Sequence, residues 1–256
     1  MQRYFINFNE NDKYVKITGD DFHHLKNVLR MKRGDKFFLS NGELVYQVII
    51  ETLTNEFVLC ELLNKVEENH ELGVNVTIAQ GMPKVDKFEF IIQKATELGV
   101  RELIPVLCDR SLVKVDGDKS RKKLSRFFKI AKGAAEQSER LMIPNVTNFM
   151  TLNELIAYSK TFTYCCVAYE RATAKNYQNL PQLLEKLNAN DKILFFIGPE
   201  GGISDKELAL LTANNFITIS LGKRILRTET APLFILSAIS YELELKGWYY
   251  AYGCFL

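Results

Sequence analysis

Two glycine-bearing stretches mark where this chain could do chemistry. Ile197-Gly198-Pro199-Glu200-Gly201-Gly202 follows an all-apolar run and leads into Ser204 and Glu207, a capping box that opens a helix. In an open α/β sheet, ligands bind at the carboxyl ends of strands, and glycines there let a ligand approach the backbone closely. The stretch is neither G-x-G-x-x-G nor G-x-x-x-x-G-K-[ST], so neither a dinucleotide fingerprint nor a P-loop is supported. One unit later, Leu221-Gly222-Lys223-Arg224-Ile225-Leu226-Arg227-Thr228-Glu229-Thr230-Ala231 again leaves a strand and enters a helix, with Thr230 as the expected N-cap and Pro232 in the first turn. Two such loops at one sheet edge could clamp a single ligand between them, a tight strand-to-helix turn being the plainer alternative for each. Lys223, Arg224 and Arg227 add cations suited to phosphate or carboxylate groups.

Charge gathers in two other places. Between Arg110 and Arg140 stand ten cations, among them Lys114, Lys119, Arg121, Lys122 and Lys123, against the four anions Asp116, Asp118, Glu136 and Glu139. A smaller patch holds Lys26, Arg30, Lys32, Arg33 and Lys36, opposed by Asp35 alone. Such clusters suit RNA or DNA phosphates because neutralising them releases counterions; a solvated helix face is the plainer alternative. At the end of the basic run, Glu136 and Arg140 lie four apart and so are expected to share a helix face with Gln137 beside it. His23, His24 and His70 read as non-catalytic, and no Ser/His/Asp or Cys/His constellation can be assembled from local sequence.

The elements that must position these groups fall into two sets. The first 70 or so residues read as short strands at Tyr4 to Phe8, Tyr14 to Ile17, Lys36 to Leu39, Leu44 to Ile50 and Phe57 to Leu62, with a hairpin turn at Ser40-Asn41-Gly42. One helix interrupts them, from about Asp20 to Met31, with Asp20 or Asp21 as N-cap. The polar run Lys65 to Leu72 reads as a linker, giving domains 1–72 and 73–256. From Val74, strands at Val74 to Ala79, Leu103 to Leu107, Thr163 to Val167, Ile193 to Ile197 and Ile217 to Leu221 alternate with helices at Asp86 to Leu98, Ser120 to Arg140, Leu152 to Ser159, Pro181 to Leu187, Asp205 to Asn214 and Thr230 to Lys246. That alternation predicts a mainly parallel α/β sheet. Thr151 with Glu154 forms a second capping box.

Bulk properties exclude other classes. Hydrophobic residues at 47% and charged residues at 25% rule out disorder, collagen-like and coiled-coil chains. A net charge of +2 neither demands nor excludes a polyanionic partner, so any nucleic-acid argument must be local. The five cysteines, Cys60, Cys108, Cys165, Cys166 and Cys254, are odd in number and lack C-x-x-C spacing, which reads as reduced, mostly buried thiols and no zinc site. Met1 to Glu10 shows no apolar leader, and no run approaches the roughly 18 apolar residues of a membrane span, so a cytoplasmic protein with no membrane contact is expected.

Taken together, several blocks resemble the RsmE family: His23-His24-Leu25-Lys26-Asn27-Val28-Leu29-Arg30-Met31 with Gly34-Asp35, Gln93-Lys94-Ala95-Thr96-Glu97-Leu98-Gly99-Val100, Glu136-Gln137-Ser138 with Arg140, Gly198 to Gly202, and Arg224 to Ala231. They occur in the family's order over nearly the whole chain. The resemblance implies an α/β SPOUT-type domain, a mainly parallel sheet with a deep trefoil knot, and a small N-terminal PUA-like β-barrel that binds RNA. It implies a homodimer that uses S-adenosyl-L-methionine to methylate N3 of a uridine in 16S rRNA of the small ribosomal subunit, in its decoding region. Val85 and Asp109 depart from the family pattern, and the aromatic tail Trp248 to Leu256 has no counterpart in it.

The same resemblance implies Gly198, Glu200, Gly201, Leu221, Gly222 and Leu226 as cofactor contacts. Arg227, Arg140 and Arg110 are then candidates to position the uracil or stabilise its anion, with Glu136 or Glu229 as base. Lys26, Arg30, Arg33, Arg121, Lys122 and Lys123 are the candidate RNA contacts. Two alternatives stand beside this reading: a SPOUT-type transferase acting on tRNA or a ribose 2′-hydroxyl, and a catalytically silent RNA-binding assembly factor.

Overall fold

A computed structural model describes residues 2–111, 117–169 and 178–246, which divide into two compact units. The first comprises residues 1–71 together with 132–143. Its strands are β1 (Arg3–Phe5), β2 (Tyr14–Ile17), β3 (Lys36–Ser40), β4 (Val45–Leu53) and β5 (Val58–Val66), in the order β1-β3-β4-β5-β2. β1 runs parallel to β3 and the remaining pairs are antiparallel. Strict alternation in β2, with Val15 and Ile17 inward, buries one face of the curled sheet over Tyr4, Leu25, Phe37, Leu39 and Ile50. Asn41 makes the β3–β4 hairpin by accepting the backbone N–H groups of Glu43 and Leu44 on its side-chain oxygen.

The helix of this unit departs from expectation at both ends. It begins as α1 (Gly19–His23) with Thr18 at the N-cap, so Asp20 and Asp21 occupy the first turn and neither is the cap. It continues as a π-helical turn over His24–Val28 and closes when Arg30 enters the left-handed region at φ 54°, letting the Met31 N–H reach the Leu25 carbonyl at 3.0 Å. β5 also runs on through Lys65 and Val66, into the stretch expected to be linker.

The second unit holds residues 72–131 and 144–256, of which those named above are described. Its elements are β6 (Asn75–Gly81), α2 (Val85–Glu97), β7 (Glu102–Leu107), α3 (Gly117–Gln137), β8 (Asn145–Val146), β9 (Met150–Thr151), α4 (Leu152–Ser159), β10 (Tyr164–Ala168), β11 (Gln178–Asn179), α5 (Leu180–Leu184), β12 (Lys192–Ile197), α6 (Asp205–Ala213), β13 (Ile217–Ser220) and α7 (Thr230–Ser240). The sheet order is β11-β13-β10-β12-β6-β7-β8, with β9 also on β7, and every pairing is parallel. Central β12 reads as a near-continuous apolar run because it is buried on both faces, and its neighbour β6 is buried throughout from Val76 to Gly81 although Thr77 and Gln80 are polar. Both predicted capping boxes are made, at Thr151/Glu154 and Ser204/Glu207. Three two-residue strands, β8, β9 and β11, went unpredicted, being too short to show a period. α7 is preceded by Glu229 at the N-cap, not Thr230, because the Thr230 and Ala231 N–H groups already turn back to the Arg227 carbonyl.

α3 spans both units, and from Lys132 onward it belongs with the first. It ends at Gln137, and Glu139 at φ 55° turns the chain away, so Arg140 lies beyond the helix and the expected Glu136–Arg140 face is not formed. Arg140 is 1% exposed; its Nε and Nη2 donate to the two carboxylate oxygens of Glu71 at 2.8 and 2.5 Å, and the Leu141 N–H adds a third bond at 2.9 Å. Removing one partner of such a buried fork strands the other's charge. Arg140→Ala is therefore expected to lower unfolding free energy by about 3–5 kcal/mol in urea titration, and a loss below about 1 kcal/mol would show that the pair is solvated.

Candidate functional site

The site is built where β6 and β12 end side by side. Gln80 is fully buried at the end of β6, and its Nε2 donates to Thr228 Oγ1 at 2.8 Å and lies 3.1 Å from the Gly81 carbonyl and 3.2 Å from that of Gly198. Thr228 Oγ1 in turn donates to the Gly198 carbonyl at 2.7 Å. One amide and one hydroxyl thus hold the loop after β12 against the loop after β13. Gly81 is required at this contact: a Cβ there would fall 2.6 Å from Pro199 Cδ and 2.7 Å from its nitrogen.

These two loops enclose a cavity of about 490 Å³, a volume that suits a small organic ligand. Gly198, Glu200, Gly201, Leu221, Gly222 and Leu226 all line it, as do Arg110, Arg224 and Arg227. Arg110 reaches in from the turn after β7 and donates to the Gly201 carbonyl at 2.9 Å. Its neighbour Asp109 accepts from Ser204 Oγ at 3.0 Å, while the Asp109 N–H donates to Glu207, so the turn also seats the start of α6. Glu229 stands behind the lining and pairs with Lys87 Nζ at 3.2 Å. Burial raises the Glu229 pKa, but its backbone hydrogen bond, Lys87 and Arg227 outweigh that and hold it below the ordinary value. Cys108, packed beneath Gly81, has a thiol pushed up to about 12 by burial, so it is no nucleophile at neutral pH.

The other candidates are not among the lining residues. Glu136 and Arg140 belong to the first unit, and Arg140 is committed to Glu71 there. Glu136 sits 3.7 Å from Lys132, whose ammonium also contacts Asp21 at 2.5 Å. Burial pushes the Glu136 carboxyl up to about 7; Lys132 opposes the shift and Asp21 adds to it. Among the basic residues, Lys26 donates to the Thr54 carbonyl and to Asn55 Oδ1, and Arg33 pairs with Glu51 at 2.6 Å. Arg30, Arg121 and Lys122 are exposed, and Lys123 is half-buried on α3. Lys114, Cys254 and the tail from Trp248 lie outside the described residues, as does the side chain of Lys119. Tyr4 OH bonds to His24 Nδ1 at 2.7 Å, which gives that histidine a structural partner.

Gln80, Gly81, Lys87 and Thr228 were missed from the sequence. A signal existed for the first two: a polar side chain and a glycine directly after the strand expected to end at Ala79, since a buried polar residue is the informative exception in a core strand.

Comparison with known proteins accords with this geometry. Residues 70–240 match the RNA methyltransferase domain family, and residues 17–63 match the RNA methyltransferase PUA domain family. The chain is 41% identical over 251 residues to the ribosomal RNA small subunit methyltransferase E of Bacillus subtilis, covering 96% of this chain and 98% of that one. The protein of the same name from Synechocystis is 38% identical over 234 residues, covering 90% of this chain and 74% of that one. The crystal structure of ribosomal RNA small subunit methyltransferase E from Neisseria gonorrhoeae bound to S-adenosyl methionine is similar at a TM-score of 0.81 and 28% identity, covering 94% of this chain and 97% of that one.

The raised carboxyl of Glu136 has a thermodynamic consequence. Its folded pKa of about 7 exceeds the ordinary 4.5, so its contribution to stability is complete below pH 4.5 and is lost as pH rises through 7. Stability should therefore fall between pH 5 and 8, by as much as about 3 kcal/mol. Glu136→Gln should flatten that slope in denaturant melts run at both pH values; an unchanged slope would mean that Glu136 is ionised throughout.

Proposed function

This chain belongs to the RNA methyltransferase family whose curated members are ribosomal RNA small subunit methyltransferases E, and from that premise we propose that it transfers the methyl group of S-adenosylmethionine to N3 of a uridine in 16S ribosomal RNA. The observation that carries this is the cavity between the two glycine loops, lined by Arg110 and Arg227 beside Leu221 and Leu226. The cavity residues fit the cofactor. Gly222, at φ 105°, leaves open space where a side chain would stand, Leu221 and Leu226 offer apolar surface, and Glu200 places on the lining a carboxylate that it shares with Lys87. Gly198, Glu200, Gly201, Leu221, Gly222 and Leu226 would hold it. Bound there, S-adenosylmethionine supplies an activated methyl group on a sulfonium.

What the chain itself must do is align the uracil nitrogen with that methyl, exclude water and lower the cost of losing the N3 proton. Arg227, exposed at the cavity, and Arg110, fixed by the Gly201 carbonyl, are assigned to stabilise negative charge on the uracil oxygens as the proton leaves. Glu229 is a poor choice of base, because a carboxylate held below its ordinary pKa has little affinity for a proton. We assign its charge to Lys87 instead. Glu136 has a pKa suited to proton transfer but is absent from the lining, and Arg140 is assigned to the structure of the first unit.

Domains 1–72 and 73–256 are assigned RNA binding and catalysis respectively, with Lys26, Arg30, Arg33, Arg121, Lys122 and Lys123 as phosphate contacts. The small ribosomal subunit as substrate, the decoding region as target, the homodimer, the trefoil knot and a cytoplasmic location belong to the same proposal. Among the described residues no helix is long and apolar enough to cross a membrane.

The test is transfer of labelled methyl from S-adenosylmethionine to small ribosomal subunits lacking the modification, followed by nucleoside mass spectrometry. The expected product is 3-methyluridine; a methylated ribose, or incorporation only into tRNA, would overturn the assignment. Arg227→Ala should lower single-turnover transfer by about 10²-fold or more, the scale of losing one anion-stabilising donor. An unchanged rate would remove Arg227 from the mechanism.

A further inference from the structure

Lys87 stands in the first turn of α2, and its side chain is 28% exposed. Nζ lies 3.5 Å from Glu200 Oε1 and 3.2 Å from Glu229 Oε2. Those carboxylates come from different loops: Glu200 follows β12, and Glu229 ends the segment after β13. Their side chains are 23% and 17% exposed, so without the ammonium two half-buried carboxylates would lose the counter-charge they share. Glu200 Oε1 also accepts the Lys84 N–H at 3.2 Å, which ties the first loop to the start of α2, where partial positive charge favours an anion.

We propose that Lys87 is a positioning residue for methyl transfer, an ionic brace from α2 that sets the aperture between the 198–203 and 221–229 loops. The brace rests on the reading of this cavity as the S-adenosylmethionine site. Its role differs from that of Gln80 and Thr228, which join the loops at their buried roots, because Lys87 joins them at a cavity-lining position where ligand entry and release are governed. The geometry accounts for two acidic residues beside a site rich in arginine: each ties its own loop to the same ammonium on α2.

The test compares wild type, Lys87→Met and Lys87→Arg. Hydrogen exchange on the cofactor-free protein should show faster exchange at the Gly202, Thr230 and Ala231 amides in Lys87→Met, with β6 and β12 unaltered and Lys87→Arg restoring protection. Calorimetry should show S-adenosylmethionine binding weakened about tenfold in Lys87→Met, while the thermal midpoint barely moves, since a partly exposed pair adds little to global stability. Unchanged loop exchange, or faster exchange spread equally through β6 and β12, would overturn the brace. Wild type that fails to bind S-adenosylmethionine would overturn the cofactor reading instead, and the cofactor-free exchange would still decide on Lys87.

Discussion

The buried amide of Gln80 is the interaction on which the rest of the site depends. It is wholly shielded from water, so its N–H donors must find partners within the protein or cost the full penalty of desolvation. Within reach of its two N–H groups are three acceptors, the Thr228 hydroxyl oxygen and the carbonyls of Gly81 and Gly198, one from each of three chain segments that meet at the sheet edge. Because the directions of an amide are fixed, satisfying its N–H donors fixes how the segment after β13 lies against the loop after β12. The cavity is the space that this arrangement leaves.

Burial sets apart two groups of arginines among the described residues. Arg3 and Arg140 are shielded from solvent within the first unit, where Arg3 Nη1 donates to the carbonyls of Glu139 and Arg140, and Arg140 grips Glu71. Burial lowers the Arg3 pKa, while Glu139, Glu68 and Glu71 oppose that shift. Both guanidiniums hold the segment after α3 in place, with Ser40 Oγ adding a bond to the Leu141 carbonyl. Arg224 and Arg227 keep their heads in solvent at the cavity, where a planar fork can meet an anion that arrives from outside.

Much of this was legible in the sequence because the signals were local. Glycine loops after apolar strands, capping boxes at Thr151 and Ser204, and the alternation of β2 each follow from neighbours a few residues apart. The failures share a cause in contacts made over long separations. Glu71 captures Arg140 from 69 residues away, and Gln80 finds Thr228 across 148. The Glu136–Arg140 face failed for a reason invisible to periodicity: Glu139 adopts a left-handed conformation that no side-chain pattern announces. Lys87 escaped for the same reason as Gln80, since its partners Glu200 and Glu229 lie 113 and 142 residues along the chain.

The electrostatics of the cavity favour one form of catalysis over another. A general base works best when its pKa lies near the operating pH, which burial without a cation would bring about in a carboxylate. Glu136 shows that this chain can produce such a group, since desolvation overcomes Lys132 there. At Glu229 the balance is reversed: Lys87, Arg227 and a backbone bond outweigh desolvation, and the carboxylate stays charged. The cavity therefore concentrates fixed positive charge where a uracil anion would form, and Glu229 behind its lining stays ionised and engaged. On the proposed reading, the N3 proton is lost to water because its conjugate anion is stabilised, and alignment by the two braced loops supplies the remainder of the rate.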